Sequence, residues 1–254
     1  MMERARLLST RALTAAARAL NGNSMRFLIT AGPTREPLDP VRYLSNRSSG
    51  KMGCALASAA LEAGHEVVLV SGPVALEPPP GAQITRVETA RQMFEAVRDQ
   101  ISGCEAAIFC AAVADYRPVS VAGQKIKKTG ERLVLELERT EDILGSARSI
   151  FGFRGFLAGF AAETTNLLEH AHDKLRRKGC DLVIANDVSR AGIGFDSAEN
   201  EVILCLPGAR EIPLPRQTKA GLARAIIAFI TETHPPQTPR SEEHTSELQS
   251  LTNL

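Results

Sequence analysis

The stretch TAGPTREPLDPVRYLSNRSSGKMG, from Thr30 to Gly53, concentrates the chemistry of this 254-residue chain. An apolar run, Arg26-Phe-Leu-Ile-Thr30, leads into it and reads as a buried strand, while Lys51 onward reads as a helix. Met52, Leu56, Ala59 and Ala63 recur at helical spacing, so one face of that helix is expected to lie on a sheet. Between strand and helix runs a polar loop with Pro33, Pro37 and Pro40, Arg35, Arg42 and Arg47, Asn46, and a Ser48-Ser49-Gly50 turn that opens the helix. A loop of that length with no structure of its own is expected to be functional.

Outward from this unit the pattern alternates. Glu66 to Ser71 reads as a strand, Thr89 to Ile101 as a helix, Ala106 to Ala112 as a strand, and Asp115 to Gly130 as a polar, basic loop. Arg132 to Glu138 alternates like a strand with one wet face. Glu141 to Phe151 and Glu163 to Lys178 read as helices, and Phe156 to Phe160 and Leu182 to Ala185 as buried strands. Val202 to Leu206 and Arg210 to Leu214 form a hairpin around Pro207-Gly208, and Thr218 to Ile230 closes the chain as a helix. The expected class is α/β: a Rossmann-like, mostly parallel sheet flanked by helices, with a small antiparallel hairpin near the C-terminus. Ligands of such sheets bind at the carboxyl ends of the strands, where strand order reverses, which gathers Asn46, Asp115, Phe160 and Asn186-Asp187 into one neighbourhood.

Composition excludes several classes. With 30 basic and 29 acidic residues there is no global field to attract nucleic acid, so anion affinity must be local. No apolar run approaches the ~18 residues of a membrane span. The five cysteines, Cys54, Cys104, Cys110, Cys180 and Cys205, lack CxxC spacing and sit mostly in apolar runs, as reduced core residues of a cytoplasmic protein do. Residues 1–24, rich in Arg and Ala, are expected to be a disordered extension or linker, and 25–233 the folded domain. Residues 234–254 are expected to be a disordered tail; from Arg240 it lacks apolar periodicity and looks like translated sequencing-adapter read-through.

Familiar nucleotide motifs fit poorly. A dinucleotide fingerprint needs G-x-G-x-x-G directly after the first strand and an acid closing the second, whereas that strand ends here in Ser71-Gly72. A Walker loop fails because Ser45 and Met52 stand where glycine and Ser or Thr belong. Tyr43 and Tyr116 are followed four residues on by Arg47 and Ser120, so no Tyr-x-x-x-Lys reductase pair exists. The Ser-Ser-Gly helix start suits an anion through its free N–H groups, or is a simple cap.

Lysines add a second clue. At about 100° per residue Lys174 and Lys178 fall beside Leu167 and Ala171, so they face a cleft or snorkel over apolar surface. Lys125, Lys127 and Lys128 are either a solvated run or a mobile loop that closes over phosphates. His170 and His172, two apart on a helix, point different ways and do not suit a metal pair. Asp115, following a buried strand, suits Mg²⁺ or a nucleotide, or caps a turn; Asn186-Asp187 lies at the same edge or makes an Asx turn. Residue chemistry alone reaches a phosphate- or nucleotide-handling α/β domain.

The run Ile29 to Gly53, with Ala111-Ala-Val-Ala-Asp-Tyr-Arg117, Lys125-Ile-Lys-Lys128, Gly159-Phe-Ala-Ala-Glu-Thr164 and Ala185-Asn-Asp-Val188, closely resembles phosphopantothenate–cysteine ligase, over about Met25 to Thr233. The resemblance implies a CTP-dependent ligase of coenzyme A biosynthesis. The carboxylate of 4'-phosphopantothenate would attack the α-phosphate of CTP, and L-cysteine would displace CMP from the acyl-cytidylate. It implies that Lys125 neutralises charge growing on the phosphates, and that Asp115, Phe160, Lys174 and Lys178 hold the nucleotide. Asn46 would bind the acyl intermediate, assisted by Arg42 and Ala111. Gly32, Gly50, Asp142 and Ile143 would contact the nucleotide, and Asp115 would serve Mg²⁺. Many bacterial relatives carry a preceding flavin-dependent decarboxylase; none precedes the ligase motifs here, so a separate decarboxylase is a possible partner and no flavin is expected in this chain. A homodimer is implied, with the Val202–Leu214 hairpin as the candidate contact. Relatives usually have Asn-Pro-Asp-Ile where this chain has Thr140-Glu141-Asp142-Ile143, which puts that segment's geometry in question. The alternatives are an NAD(P)-linked reductase, opposed by the missing ribose acid, and a non-catalytic nucleotide sensor, which would not need Asn46.

Overall fold

Alternation along the first strand sets the layers of the molecule. Phe27, Ile29 and Ala31 enter one apolar cluster and Leu28 enters another on the opposite face, the two-residue period of extended backbone. The computed structural model describes residues 24–128, 130–189 and 197–235. In chain order its elements are β1 (Arg26–Ala31), β2 (Arg35–Pro37), β3 (Tyr43–Ser45), α1 (Lys51–Glu62), β4 (Glu66–Ser71), β5 (Gln83–Arg86), α2 (Ala90–Gln100), β6 (Ala106–Phe109), β7 (Tyr116–Pro118) and β8 (Leu137–Arg139). There follow α3 (Ile143–Ser149), β9 (Phe156–Glu163), α4 (Leu167–Lys178), β10 (Leu182–Asp187), β11 (Glu199–Leu206), β12 (Arg210–Thr218) and α5 (Lys219–Thr233).

Eight strands form one sheet in the order β12-β11-β10-β9-β6-β1-β4-β5, parallel except for β11, which runs antiparallel to both its neighbours. Strands buried on both faces need apolar residues at successive positions, which is why β1, β4 and β10 read as continuous runs. Leu56 of α1 and Leu222, Ile226 and Ile230 of α5 cover one face. Met93 and Val97 of α2, Leu144 of α3, and Ala171 and Leu175 of α4 cover the other. Truncating a fully buried Leu56 or Ile226 to Ala should cost about 2–5 kcal/mol. Gly53 lets α1 close on the sheet, because a Cβ there would sit 2.5 Å from Ala31 Cβ.

The chain enters at β1, builds β4 and β5 to one side, then returns to β6 on the other. Strand order therefore reverses between β1 and β6, opening a crevice at their carboxyl ends.

The strand over Glu66–Ser71 stands as read from the sequence, and the C-terminal hairpin is present but longer than Val202–Leu206 and Arg210–Leu214, running Glu199–Leu206 and Arg210–Thr218. Elsewhere the structure corrects the boundaries. The polar loop after β1 has structure of its own, the hairpin β2–β3. The strand expected to reach Ala112 stops at Phe109, since the N–H groups of Cys110 and Ala111 turn to Thr30 Oγ1 instead of a ladder. Short, partly exposed β5 gave no period to read. α4 begins at Leu167 because β9 continues to Glu163, and α3 begins after Asp142, whose carboxylate caps it. The strand expected over Arg132 to Glu138 pairs only through Leu137–Arg139, with Tyr116–Pro118; Val134 is 89% exposed, so its alternation finds no layer to cover. Expectations for residues 1–23 and 236–254 lie outside the described residues.

Candidate active site

The crevice holds a cleft of about 840 Å³. Its walls come from the first turn of α1, the chain leaving β6, the start of α3, the end of β9, and one face of α4. Of the residues singled out in the sequence, Gly50, Ala111, Asp115, Asp142, Ile143, Phe160, Lys174 and Lys178 all line it. Gly50, Ala111, Asp142 and Ile143 stand at or next to the ends of buried elements, Phe160 lies in the last half of β9, Asp115 precedes β7, and Lys174 and Lys178 lie one turn apart on α4.

The two lysines of α4 are engaged. Lys174 Nζ donates to the Phe160 carbonyl at 2.6 Å, and Lys178 pairs with Asp142. Burial pushes the Lys174 ammonium below the ordinary lysine range, with Lys178 adding to the same effect. At Asp142 burial raises the carboxyl, but the Lys178 ammonium, the Gly145 N–H and Lys174 outweigh it and leave the group more acidic than usual. Asp142 thus joins α3, whose Gly145 N–H it accepts at 3.0 Å, to α4. Snorkelling over apolar surface, the alternative for this pair, does not describe it.

Thr140 and Glu141, where the resemblance implies Asn-Pro, fix the segment through side-chain bonds. Thr140 Oγ1 donates to Ala114 O at 2.6 Å and Thr140 N to Asp115 O at 3.0 Å. Glu141 takes both its oxygens to Arg117, at 3.1 and 3.0 Å. The chain around Ala111 is equally well held: Thr30 Oγ1 accepts from Cys110 N and Ala111 N, each at 3.1 Å, and Thr34 Oγ1 from Ala114 N at 2.9 Å. Sequence reasoning missed these threonines because only the tertiary fold aligns their hydroxyls with backbone up to 81 residues away. It also missed Asn200 and Lys219, buried polar residues on the cleft wall.

Asn186 and Asp187 part company. Asn186 lines the cleft, whereas Asp187 Oδ1 accepts from Ser189 N and Oγ in an Asx turn. His170 pairs with Glu163 and His172 with Glu211, in divergent directions. Among the described residues no three His, Cys, Asp or Glu side chains cluster as a metal site.

Four candidates stand apart from the cleft lining: Gly32, Asn46, Arg42 and Lys125. Gly32, at φ +75°, turns the chain, and its carbonyl accepts from Ala112 N at 2.9 Å. Asn46 Nδ2 donates to Ala112 O at 2.9 Å and faces a second depression of about 410 Å³, which meets the main cleft at Ser48 and Ser49. The expected meeting of Asn46 with Asp115 and Phe160 is therefore corrected to adjacency across that junction. The Arg42 guanidinium binds Asp39 and the Ile126 carbonyl, and Lys125 is exposed in the loop beyond β7.

A strand-order crevice, with a helix N-terminus at its rim and lysines on its wall, defines a Rossmann-like α/β domain. Within that class, the chain belongs to the family described as the DNA/pantothenate metabolism flavoprotein C-terminal domain, whose model matches residues 22–233. It is 47% identical over 205 residues to the coenzyme A biosynthesis bifunctional protein CoaBC of Vibrio vulnificus, covering 80% of this chain and 51% of that protein. The crystal structure of a CoaBC C-terminal domain superposes with a TM-score of 0.71 at 43% identity, covering 84% of this chain and 97% of that one. A Cab2 variant solved with phosphopantothenate-cysteine shares the fold, with a TM-score of 0.68 at 18% identity over 90% of this chain and 92% of that one. The chain spans about half the length of the curated relatives it matches.

Proposed function

We propose that this domain joins 4'-phosphopantothenate to L-cysteine at the expense of CTP, in coenzyme A biosynthesis in the cytoplasm. The observation that carries this reading is the convergence of Ala111, Asp115, Asp142, Phe160, Lys174 and Lys178 on one cleft, in a chain with this degree of identity to CoaBC.

In the first half-reaction a carboxylate oxygen of phosphopantothenate attacks the α-phosphorus of CTP. The bond to the bridging oxygen breaks and pyrophosphate leaves with its electron pair. In the second, the cysteine amine attacks the acyl carbon and loses a proton, and CMP departs. The nucleotide lies along Phe160, Asp142, Lys174 and Lys178, and its phosphates reach the N–H groups at the start of α1. The acyl substrate approaches along the depression beside Asn46, so that the reacting atoms meet at Ser48 and Ser49. Catalysis rests on alignment and on charge: an ion pair at 4 Å is worth ~4 kcal/mol at an effective dielectric of 20 but ~0–1 kcal/mol when exposed. Lys125 therefore acts only when its loop is brought over the phosphates. Asp115 fits Mg²⁺ as a single carboxylate on the wall, since this ion takes one or two carboxylates and fills its shell with phosphate oxygens and water. When bound, Mg²⁺ would neutralise phosphate charge.

The homodimer is part of this reading, but its contact belongs on the two arms rather than on the C-terminal hairpin. Pro213 and Pro215 interrupt the donors of the β12 edge, and Ile203 is packed against the α2–α4 layer. The arms β2–β3 and β7–β8 lie together and carry exposed Val41, Tyr43, Val119, Val121, Leu133 and Val134.

Pyrophosphate release assayed with CTP, phosphopantothenate and cysteine, omitting each in turn, tests the function. Release should require CTP and phosphopantothenate, and amide formation should require cysteine as well. Equal turnover without phosphopantothenate would sink the reading.

A further inference from the structure

The turn between β2 and β3 contains a buried carboxylate with five donors around it. Asp39 is 3% exposed. Its Oδ1 accepts from Val41 N at 2.8 Å and Arg42 N at 2.9 Å. Its Oδ2 accepts from Arg42 Nε at 3.0 Å, Arg42 Nη2 at 2.6 Å and Ile126 N at 3.0 Å. The same Arg42 Nη2 donates to Ile126 O at 2.9 Å, and Ala122 N donates to Leu38 O at 3.0 Å. Both backbone polar groups of Ile126, the residue next to Lys125, thus close onto a turn 84 to 87 positions earlier in the chain.

We propose that Asp39 is the positioning residue of the basic loop: with Arg42 it forms a two-point clamp on Ile126 that sets where Lys125 stands. The proposal rests on the reading of Lys125 as the residue that meets phosphate charge. Asp suits the position because a carboxylate is acceptor-only, so five N–H donors can converge on it. The Arg42 guanidinium holds the carboxyl well below the usual carboxylate range, so the clamp keeps its charge across the working pH. Asn in its place must turn an NH₂ either toward the three donors of Oδ2 or toward the two backbone N–H groups of Oδ1. Donor then meets donor in both orientations. Arg42 acts here through the loop, which accounts for its position outside the cleft lining.

The test compares Asp39→Asn with the parent in two measurements. Amide hydrogen exchange, without substrates, should show Ile126 exchanging at least about tenfold faster in the variant while β1 and β6 stay unchanged, since the clamp is a local opening unit. Single-turnover formation of the acyl-cytidylate should fall by about 10²-fold, the cost of displacing a catalytic group by about an ångström. In a Lys125→Gln background the same substitution should add little, because the two act as one unit. If Asp39→Asn does not fold, Arg42→Lys, at a half-exposed side chain, removes the planar fork and carries the same comparison. Unchanged exchange at Ile126, or rate losses that multiply in the double variant, would overturn the clamp. A parent that releases no pyrophosphate would overturn the ligase reading alone, leaving exchange to decide the clamp.

Discussion

The sheet-edge cleft and the paired arms are held together in different ways. Cleft residues come from the ends of β6, β9 and β10, strands with mostly buried apolar side chains, and from the adjoining ends and faces of α1, α3 and α4, and their polar contacts cross-link several elements at once. The arms are three-residue strands with exposed apolar side chains, and the basic loop beside them is tied down chiefly through one carboxylate, Asp39. The half of the site proposed to bind the nucleotide is therefore preformed, and the half proposed to act on developing charge sits on an element that a few bonds control. Such a division suits a reaction in which a nucleotide must dock before charge is neutralised.

The largest expected effect tests the arm side. Lys125→Gln should slow acyl-cytidylate formation by ~10²–10³, the usual cost of removing one group aimed at developing charge. Binding of CTP, measured by calorimetry, should change little, because Lys125 is absent from the cleft lining. Formation at the parental rate would erase the functional distinction between arm and cleft. Asn46→Asp should act on the later step, by about tenfold, since it sets a negative charge beside the Ala112 carbonyl and the acyl phosphate. If it completes the amide as fast as the parent, Asn46 has no such role.

Next in size is a pH effect on the cleft side. Lys174 loses its proton at lower pH than an exposed lysine, because burial disfavours the ammonium. In the free protein its stability contribution rises with pH between the folded and unfolded values, where the unfolded chain binds more protons. A bound nucleotide anion favours the ammonium, so binding takes up a proton in that window. CTP affinity should accordingly fall by up to about tenfold per pH unit above the Lys174 value. Lys174→Arg should move that limb upward, and an unmoved limb would assign the titration to another group.

The same division explains what could be read from the sequence. Strands buried on both faces declare themselves as apolar runs, and the ends of those runs located Asp115, Phe160 and Asn186 at one edge. The hairpin β2–β3 and strand β5 have too few residues to display a period, and Arg132 to Glu138 displays one with nothing to pack against. Arg42 and Lys125 carried a motif but no spatial information, since bonds from Ile126 to Arg42 and Asp39, 84 and 87 positions apart, bring the basic loop to the β2–β3 turn, and Asn46 is fixed beside the cleft by its bond to Ala112 O. Thr140 and Glu141 depart from the Asn-Pro that the resemblance implies, yet their hydroxyl and carboxylate hold the segment. A side-chain bond can replace a restricted backbone torsion, and no local pattern announces the exchange.

A smaller effect is expected from the arm surface. Val134→Lys or Val41→Lys should convert dimers to monomers by light scattering and reduce activity several-fold, because a lysine on an apolar contact brings an unpaired charge into it. Both side chains are exposed in the single chain, so folding should be unaffected. A persistent dimer would return attention to the β12 edge.

The smallest effect should follow from trimming the chain to residues 25–233. Both apolar clusters lie between Met25 and Ile230, and every residue lining the main cleft lies between Thr30 and Lys219. Besides the His234 N–H bond to Ile230 O at 2.9 Å, which closes α5, two interactions of the described residues are lost. One is the Ser24 hydroxyl bond to Gly64 O at 3.1 Å, worth about 0.5–1.5 kcal/mol net. The other is the His234 ring, 5.9 Å from Phe156, of similar value by the usual scale of ring pairs, about 0.5–1.5 kcal/mol. For a domain of this size each kcal/mol moves the melting temperature by about 2–4 °C, so the trimmed chain should melt a few degrees lower and keep its turnover within about twofold. Restoring Ser24 and His234 should recover most of the difference. A fall of about 15 °C or more, or loss of turnover, would mean that residues outside 25–233 support the cleft or the arms.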